Sequence, residues 1–191
     1  MCRVSSSTAA APLTAPPRES LDRAFSLITT TPDFPAPGVL FRDVTPLLTD
    51  PDAYASSLAA VALPFCDESG LPEFDLVAGI EARGFIVSAG IAALTRTGTL
   101  PIRKAGKLPT PQVRVDYGLE YAEAAIEASG DLTGRRVLLV DDVLATGGTL
   151  VAAQSVVEQL GGTVVGSAVL LELTGMAGRE RVPSCHAVFS V

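Results

Sequence analysis

The chain of 191 residues lacks any apolar run near the roughly eighteen to twenty residues that span a bilayer, so no membrane segment is expected. The stretch 1–20 is rich in Ser, Thr, Ala and Pro and has no Leu-rich core, so it does not read as a secretory signal, and a flexible tail is expected over 1–19. Cysteine is scarce. Cys2, Cys66 and Cys185 are odd in number and have no metal-ligand spacing, so neither a disulfide framework nor a zinc site is expected, and reduced thiols in a cytoplasmic protein are. His186 is the single histidine, near the carboxyl end, and reads as structural; no nucleophile–base triad can be assembled. Positive charge is also short. A net charge of −7 argues against wrapping a nucleic acid.

The cations that exist are bunched. Arg83, Arg96, Arg103, Lys104 and Lys107 are five of the fourteen, a local basic segment suited to a small anion. With 48% hydrophobic residues the chain can bury one core, and residues 20–191 are expected to form a single domain. Ser20 is placed to cap a helix over 21–29, and a second helix from Pro51 turns Tyr54, Leu58 and Val61 inward. Between them lies Phe34-Pro35-Ala36-Pro37-Gly38, too proline-rich for a helix or central strand. Strands are predicted over 74–78, 100–103, 137–140 and 164–171, with helices over 85–94 and 147–160. Residues 104–121 are expected as a long loop, and 122–128 fits either a helix or a strand. This alternation predicts an α/β fold with a mainly parallel sheet.

The most informative stretch is Val137-Leu138-Leu139-Val140-Asp141-Asp142-Val143-Leu144-Ala145-Thr146-Gly147-Gly148-Thr149. Ligands of open α/β sheets bind beyond the carboxyl ends of strands, and this segment leaves such a strand for a helix. The small residues Ala145 to Thr149 can let successive N–H groups converge on an anion, with the helix adding its positive end. The loop is not a Walker A loop, since no Lys-Ser/Thr follows the glycines. Paired carboxylates at Asp141 and Asp142 would repel a phosphate unless the ligand also presents a diol that donates to them. Phosphate plus diol describes a ribose 5-phosphate.

These residues resemble the phosphoribosyl pyrophosphate (PRPP) motif of the type I phosphoribosyltransferases. Three further segments resemble the adenine phosphoribosyltransferase branch: Phe34 to Asp43, Gly79 to Phe85, and Ile102 to Pro109 with Tyr117 to Tyr121. Glu172-Leu173-Thr174 and Gly178-Arg179-Glu180 complete a likeness running from about 21 to 182. The resemblance implies a type I phosphoribosyltransferase fold with a hood over about 30–48 and a flexible loop over about 103–122. It implies that Leu40 and Arg42 read adenine through their backbone, while Phe41 and Val143 enclose the base. Ribose and its 5-phosphate would contact Asp141, Asp142, Ala145, Thr146, Gly147, Gly148 and Thr149. Arg83, Arg103, Lys104 and Lys107 would meet pyrophosphate, and Glu120 would face N7 of adenine, with Arg83 and Lys107 beside it in catalysis. Mg²⁺ would arrive with PRPP and need no protein cage. The products would be AMP and pyrophosphate, and the enzyme a homodimer. Rival readings are a phosphoribosyltransferase for another purine, such as xanthine, and a non-catalytic PRPP sensor. The latter usually carries a DNA-binding segment, for which this chain has neither length nor charge. Ser88 and Ala122 stand where relatives commonly have glycine, and Glu123-Ala124-Ala125 departs from a more charged pattern.

Overall fold

The structure, a computed structural model, describes residues 11–119 and 122–191, with the backbone alone at 119, 122 and 123. The chain begins with helix α1 (Arg18–Ser26), a hairpin of β1 (Thr29–Pro32) and β2 (Leu40–Asp43), a short α2 (Thr45–Thr49) and α3 (Pro51–Ala62). Next come β3 (Leu76–Ile80), α4 (Arg83–Thr95), β4 (Gly98–Lys104), and a second hairpin of β5 (Val113–Leu119) and β6 (Ala122–Ala128). The carboxyl-terminal part contains β7 (Arg136–Leu144), α5 (Gly148–Gln159), β8 (Thr163–Glu172), α6 (Gly178–Arg181) and β9 (His186–Ser190).

The main sheet has the order β5-β6-β4-β3-β7-β8-β9. From β4 to β9 all neighbours are parallel, and the β5–β6 hairpin adds an antiparallel edge. This is the α/β architecture the alternation predicts. Val137, Leu138, Leu139 and Val140 are fully buried, as a parallel strand covered on both faces requires. Val137 and Leu139 pack on one side against Ala153, Val156 and Val157 of α5. Leu138 and Val140 pack on the other against Leu58 and Val61 of α3 and Val87 and Ile91 of α4. A third cluster, with Ala24, Leu47, Leu171 and Phe189, ties α1 and α2 to the far edge of the sheet.

Several sequence expectations are corrected. The tail is shorter than 1–19 within the described residues: Leu13 N donates to Gly70 O at 2.9 Å, and its side chain packs on the α3–α4 core. One apolar residue found a seat that composition alone does not reveal. The first helix starts at Arg18 rather than 21, because Pro17 ends the extended stretch and serves as N-cap without a side-chain bond. Ser20 therefore lies inside the first turn. The first central strand begins two residues late, and Phe74 is buried just before it. The long loop of 104–121 is interrupted by β5, where Val113, Val115 and Tyr117 alternate inward toward the α5-side core. Glycine and proline around them masked this period-two pattern. Residues 122–128 resolve as strand, since β4 needs a partner at Arg103 and Lys104. His186 is structural as read: Nε2 bonds Ala60 O at 3.1 Å, and burial lowers its pKa. Among the described residues Cys66 and Cys185 are free thiols, and burial raises Cys185 to about 11.

Candidate functional site

Strand β7 runs past its expected end at Val140 and carries Asp141 and Asp142 on strand backbone, ahead of the turn. Successive strand residues point to opposite faces, yet the two carboxylates remain coupled. Asp142 N donates to Asp141 Oδ1 at 2.9 Å. Burial, and next the Asp142 carboxylate, push Asp141 well above the usual aspartate range. Asp142 is buried, and Arg83 Nε at the start of α4 approaches its Oδ2 to 2.9 Å. The approach is misaligned for a hydrogen bond, so Oδ2 is a buried acceptor without a donor. Arg83 also lies over the Phe41 ring, 5.5 Å from its centroid, and so links β7 to the amino-terminal hairpin.

After β7 the chain turns through Ala145, Thr146 and Gly147 into α5. Gly147 has φ of 77°, a left-handed angle that favours glycine, and is the N-cap of that helix. The turn rests on α6. A Cβ on Gly178 would lie 2.3 Å from Ala145 O, so backbone touches backbone there. Arg179 locks α6 to β8 by a fork to Glu172, Nε–Oε1 2.8 Å and Nη2–Oε2 2.6 Å. That bond lowers the Glu172 pKa.

Two cavities meet at this point. One, of about 410 Å³, is lined by Arg83, Lys104, Asp141, Asp142 and Thr149, with Glu81 and Tyr117. The other, of about 250 Å³, is lined by Asp141, Val143, Ala145, Thr146, Gly147 and Thr149. Asp141 and Thr149 belong to both. Gly148, the first residue of α5, lines neither and faces an adjoining apolar hollow shared with Tyr117.

The remaining expected residues stand further out. Arg103 is 3.7 Å from Glu81 Oε2 through a buried Nε that has no hydrogen-bond partner, and its Nη1 donates to Lys107 O at 3.2 Å. Lys107 is exposed and lines neither cavity. In β2, Leu40 is 55% exposed and Arg42 bonds Thr30 Oγ1, so only Phe41 is joined to the site. Phe34 packs edge-on against Phe41 at 5.2 Å. Glu120 lies outside the described residues. Three residues that sequence reading missed are Glu81, whose Oε2 accepts Lys104 N at 2.9 Å, Tyr117, whose hydroxyl accepts from Thr149 Oγ1 at 3.4 Å, and Glu127. Glu127 was detectable as a lone acid among the small and apolar residues of Ala124 to Ala128.

An acid pair, a glycine turn at a helix start and a flanking arginine can hold a phosphorylated sugar and its anionic leaving group at once. Comparison with known proteins identifies the family. A family model described as a phosphoribosyl transferase domain matches residues 67–189. An adenine phosphoribosyltransferase of Nocardioides sp. is 48% identical, covering 88% of this chain and 92% of that protein. The crystal structure of adenine phosphoribosyltransferase from Rhodothermus marinus superposes with a TM-score of 0.83 at 42% identity, over 91% of this chain and 99% of the other. The Giardia lamblia enzyme in complex with 9-deazaadenine gives 0.81 at 34% identity, over 90% and 97%. The chain belongs to the phosphoribosyltransferase family, among relatives that are adenine phosphoribosyltransferases.

Proposed function

We propose that the protein transfers the 5-phosphoribosyl group of PRPP to N9 of adenine, giving AMP and pyrophosphate. The observation that carries this reading is the meeting of two cavities at Asp141 and Thr149, one edged by Arg83 and Lys104 and the other by the glycine turn. The turn at Ala145 to Thr149 receives the 5-phosphate on backbone N–H groups and threonine hydroxyls. The ribose hydroxyls donate to Asp141 and Asp142, and the unpartnered Asp142 Oδ2 is an acceptor suited to one of them. Arg83 then exchanges its misaligned approach to Asp142 for the pyrophosphate. Arg103, with its unpartnered Nε, Lys104 and Lys107 supply further donors from the β4 end.

The donor set also suits Mg²⁺ brought by the substrate, since adjacent carboxylates can accept from metal-bound waters. Bound on PRPP, the ion would neutralise charge developing on the leaving pyrophosphate. Phe41 and Val143 enclose the base, and backbone groups at Leu40 and Arg42 read its edge. As N9 attacks the anomeric carbon the purine gains positive charge, and a carboxylate at Glu120 facing N7 stabilises it. Excluding water from the site protects the activated sugar from hydrolysis. A homodimer in the cytoplasm belongs to the same proposal; no helix among the described residues is long and apolar enough to cross a membrane.

The test is pyrophosphate release by purified protein with Mg²⁺, PRPP and one purine base at a time. Release with adenine alone is expected, whereas equal release with xanthine or hypoxanthine would overturn the assignment. Glu120→Ala should lower kcat by about two to three powers of ten with little change in PRPP affinity. Equal losses in both would remove Glu120 from the chemistry.

A further inference from the structure

Glu127 is a carboxylate at 2% exposure in β6, which the reaction above does not use. Buried carboxylates are costly unless hydrogen-bonded or paired, and this one has unusual company. The register of the hairpin sets it opposite Arg103 of β4 on one side and Arg114 of β5 on the other. Its Oε1 accepts Lys107 N at 2.7 Å and Leu108 N at 2.6 Å. Burial alone would raise its pKa. Backbone donors at Leu108, Gly106 and Lys107 outweigh that, and the net direction is down, which keeps the group ionised.

The segment that it grips is not arbitrary. Gly106 has φ of +81°, the left-handed angle at which neighbouring N–H groups converge into an anion-binding concavity. The anion filling the concavity is the chain's own. The same peptide segment is held from the other side, because Arg103 Nη1 donates to Lys107 O. Lys107 is thus fixed through both its N–H and its C=O, by two residues that face each other across the β4–β6 ladder, while its ammonium stays exposed.

We propose that Glu127 is a positioning residue for the pyrophosphate end of the site: it never touches substrate, but it sets the turn at 106–108 and with it the reach of Lys107 and Arg103. The proposal rests on the reading of those cations as pyrophosphate ligands, and it assigns their geometry to one buried acid. A residue placed this way governs affinity for PRPP and pyrophosphate but not for AMP, whose phosphate sits at the other end of the site on the α5 turn.

The experiment compares wild type, Glu127→Gln, Glu127→Asp and Lys107→Ala in dissociation constants for pyrophosphate, for AMP and for PRPP, in kcat, and in Tm. Glu127→Gln is expected to weaken pyrophosphate and PRPP by about 10-fold or more, the scale seen when the partner orienting a ligand-binding group is lost. AMP affinity should stay within about twofold, by the same reasoning. Glu127→Asp, which keeps the charge but is one methylene short, should give an intermediate loss. Equal weakening of AMP and pyrophosphate together with a lower Tm would make Glu127 merely structural and overturn the proposal. So would unchanged pyrophosphate affinity in Glu127→Gln when Lys107→Ala has lost it. If Lys107→Ala and Glu127→Gln both bind pyrophosphate as wild type does, the cation assignment itself is wrong and the positioning role falls with it.

Discussion

Asp141 carries a cost in the ligand-free chain that the proposed ribose contact explains. Its pKa is raised, first by burial and then by Asp142, so the folded state favours the neutral acid. An aspartate raised in this way stabilises the fold fully below its ordinary 3.8 and loses that contribution as pH climbs through the elevated value. Ionising Asp141 therefore carries a cost, which the proposed diol donating to it lowers. Asp141→Asn keeps the oxygen that accepts Asp142 N and removes one charge. It should raise Tm by about 2–4 °C, equivalent to roughly 1 kcal/mol, while PRPP binding is lost. A lower Tm, measured calorimetrically, would refute that cost. Ser88 is held by local contacts. Its Oγ donates to Phe85 O at 3.1 Å and accepts from Thr99 Oγ1 at 3.2 Å, under Gly79, where any Cβ would lie 2.2 Å from it.

At the scale of elements, the glycine turn after β7 rests on a four-residue helix that does not belong to the motif. Gly178 of α6 lies against Ala145 O, and the Glu172–Arg179 fork holds α6 in place, with Ser190 Oγ adding a longer bond to Glu172 at 3.4 Å. Gly178→Ala must displace either α6 or the turn, so affinity for AMP should fall about 10-fold or more with some loss of stability. Titration calorimetry with AMP reads the effect directly, and unaltered affinity would show that the turn holds its shape alone. The amino-terminal stretch makes a smaller contribution through Leu13 on Gly70. Removing residues 1–16 should lower Tm by a few degrees, about 1 kcal/mol for one half-buried leucine, with turnover preserved.

Across the whole molecule, the response to acid is set by many small contributions, most of them of one sign. Asp43, Asp50, Asp75, Asp131, Glu127 and Glu172 all have lowered pKa values, chiefly through hydrogen bonds from arginines, hydroxyls or backbone N–H groups. A lowered carboxylate contributes stability above its ordinary value, 3.8 for aspartate and 4.5 for glutamate, and loses it as pH falls through the lowered one. His186, lowered by burial from 6.5, acts in the same direction at milder acidity. Among the described carboxylates Asp141, raised by burial, opposes them. Scanning calorimetry between about pH 7 and pH 3 should therefore show Tm falling, gently at first and steeply below about pH 4.5. A Tm that holds or rises on acidification would mean that these bonds are absent in solution.

What the residues alone determined was the fold class and the glycine turn that follows the acid pair, because these depend on local runs: apolar strands, a glycine where φ must be positive, and a helix that begins directly after it. The limits of β5 were hidden because glycine and proline interrupt a pattern that only packing against α5 rewards. Tertiary structure decided that Asp141 and Asp142 ride on strand backbone, that α6 supports the turn from thirty residues away, and that Glu127 grips Lys107. Each of these is a contact between segments distant in sequence. Neither spacing nor composition can encode such a meeting, because it exists only once the sheet has set its strand order and register.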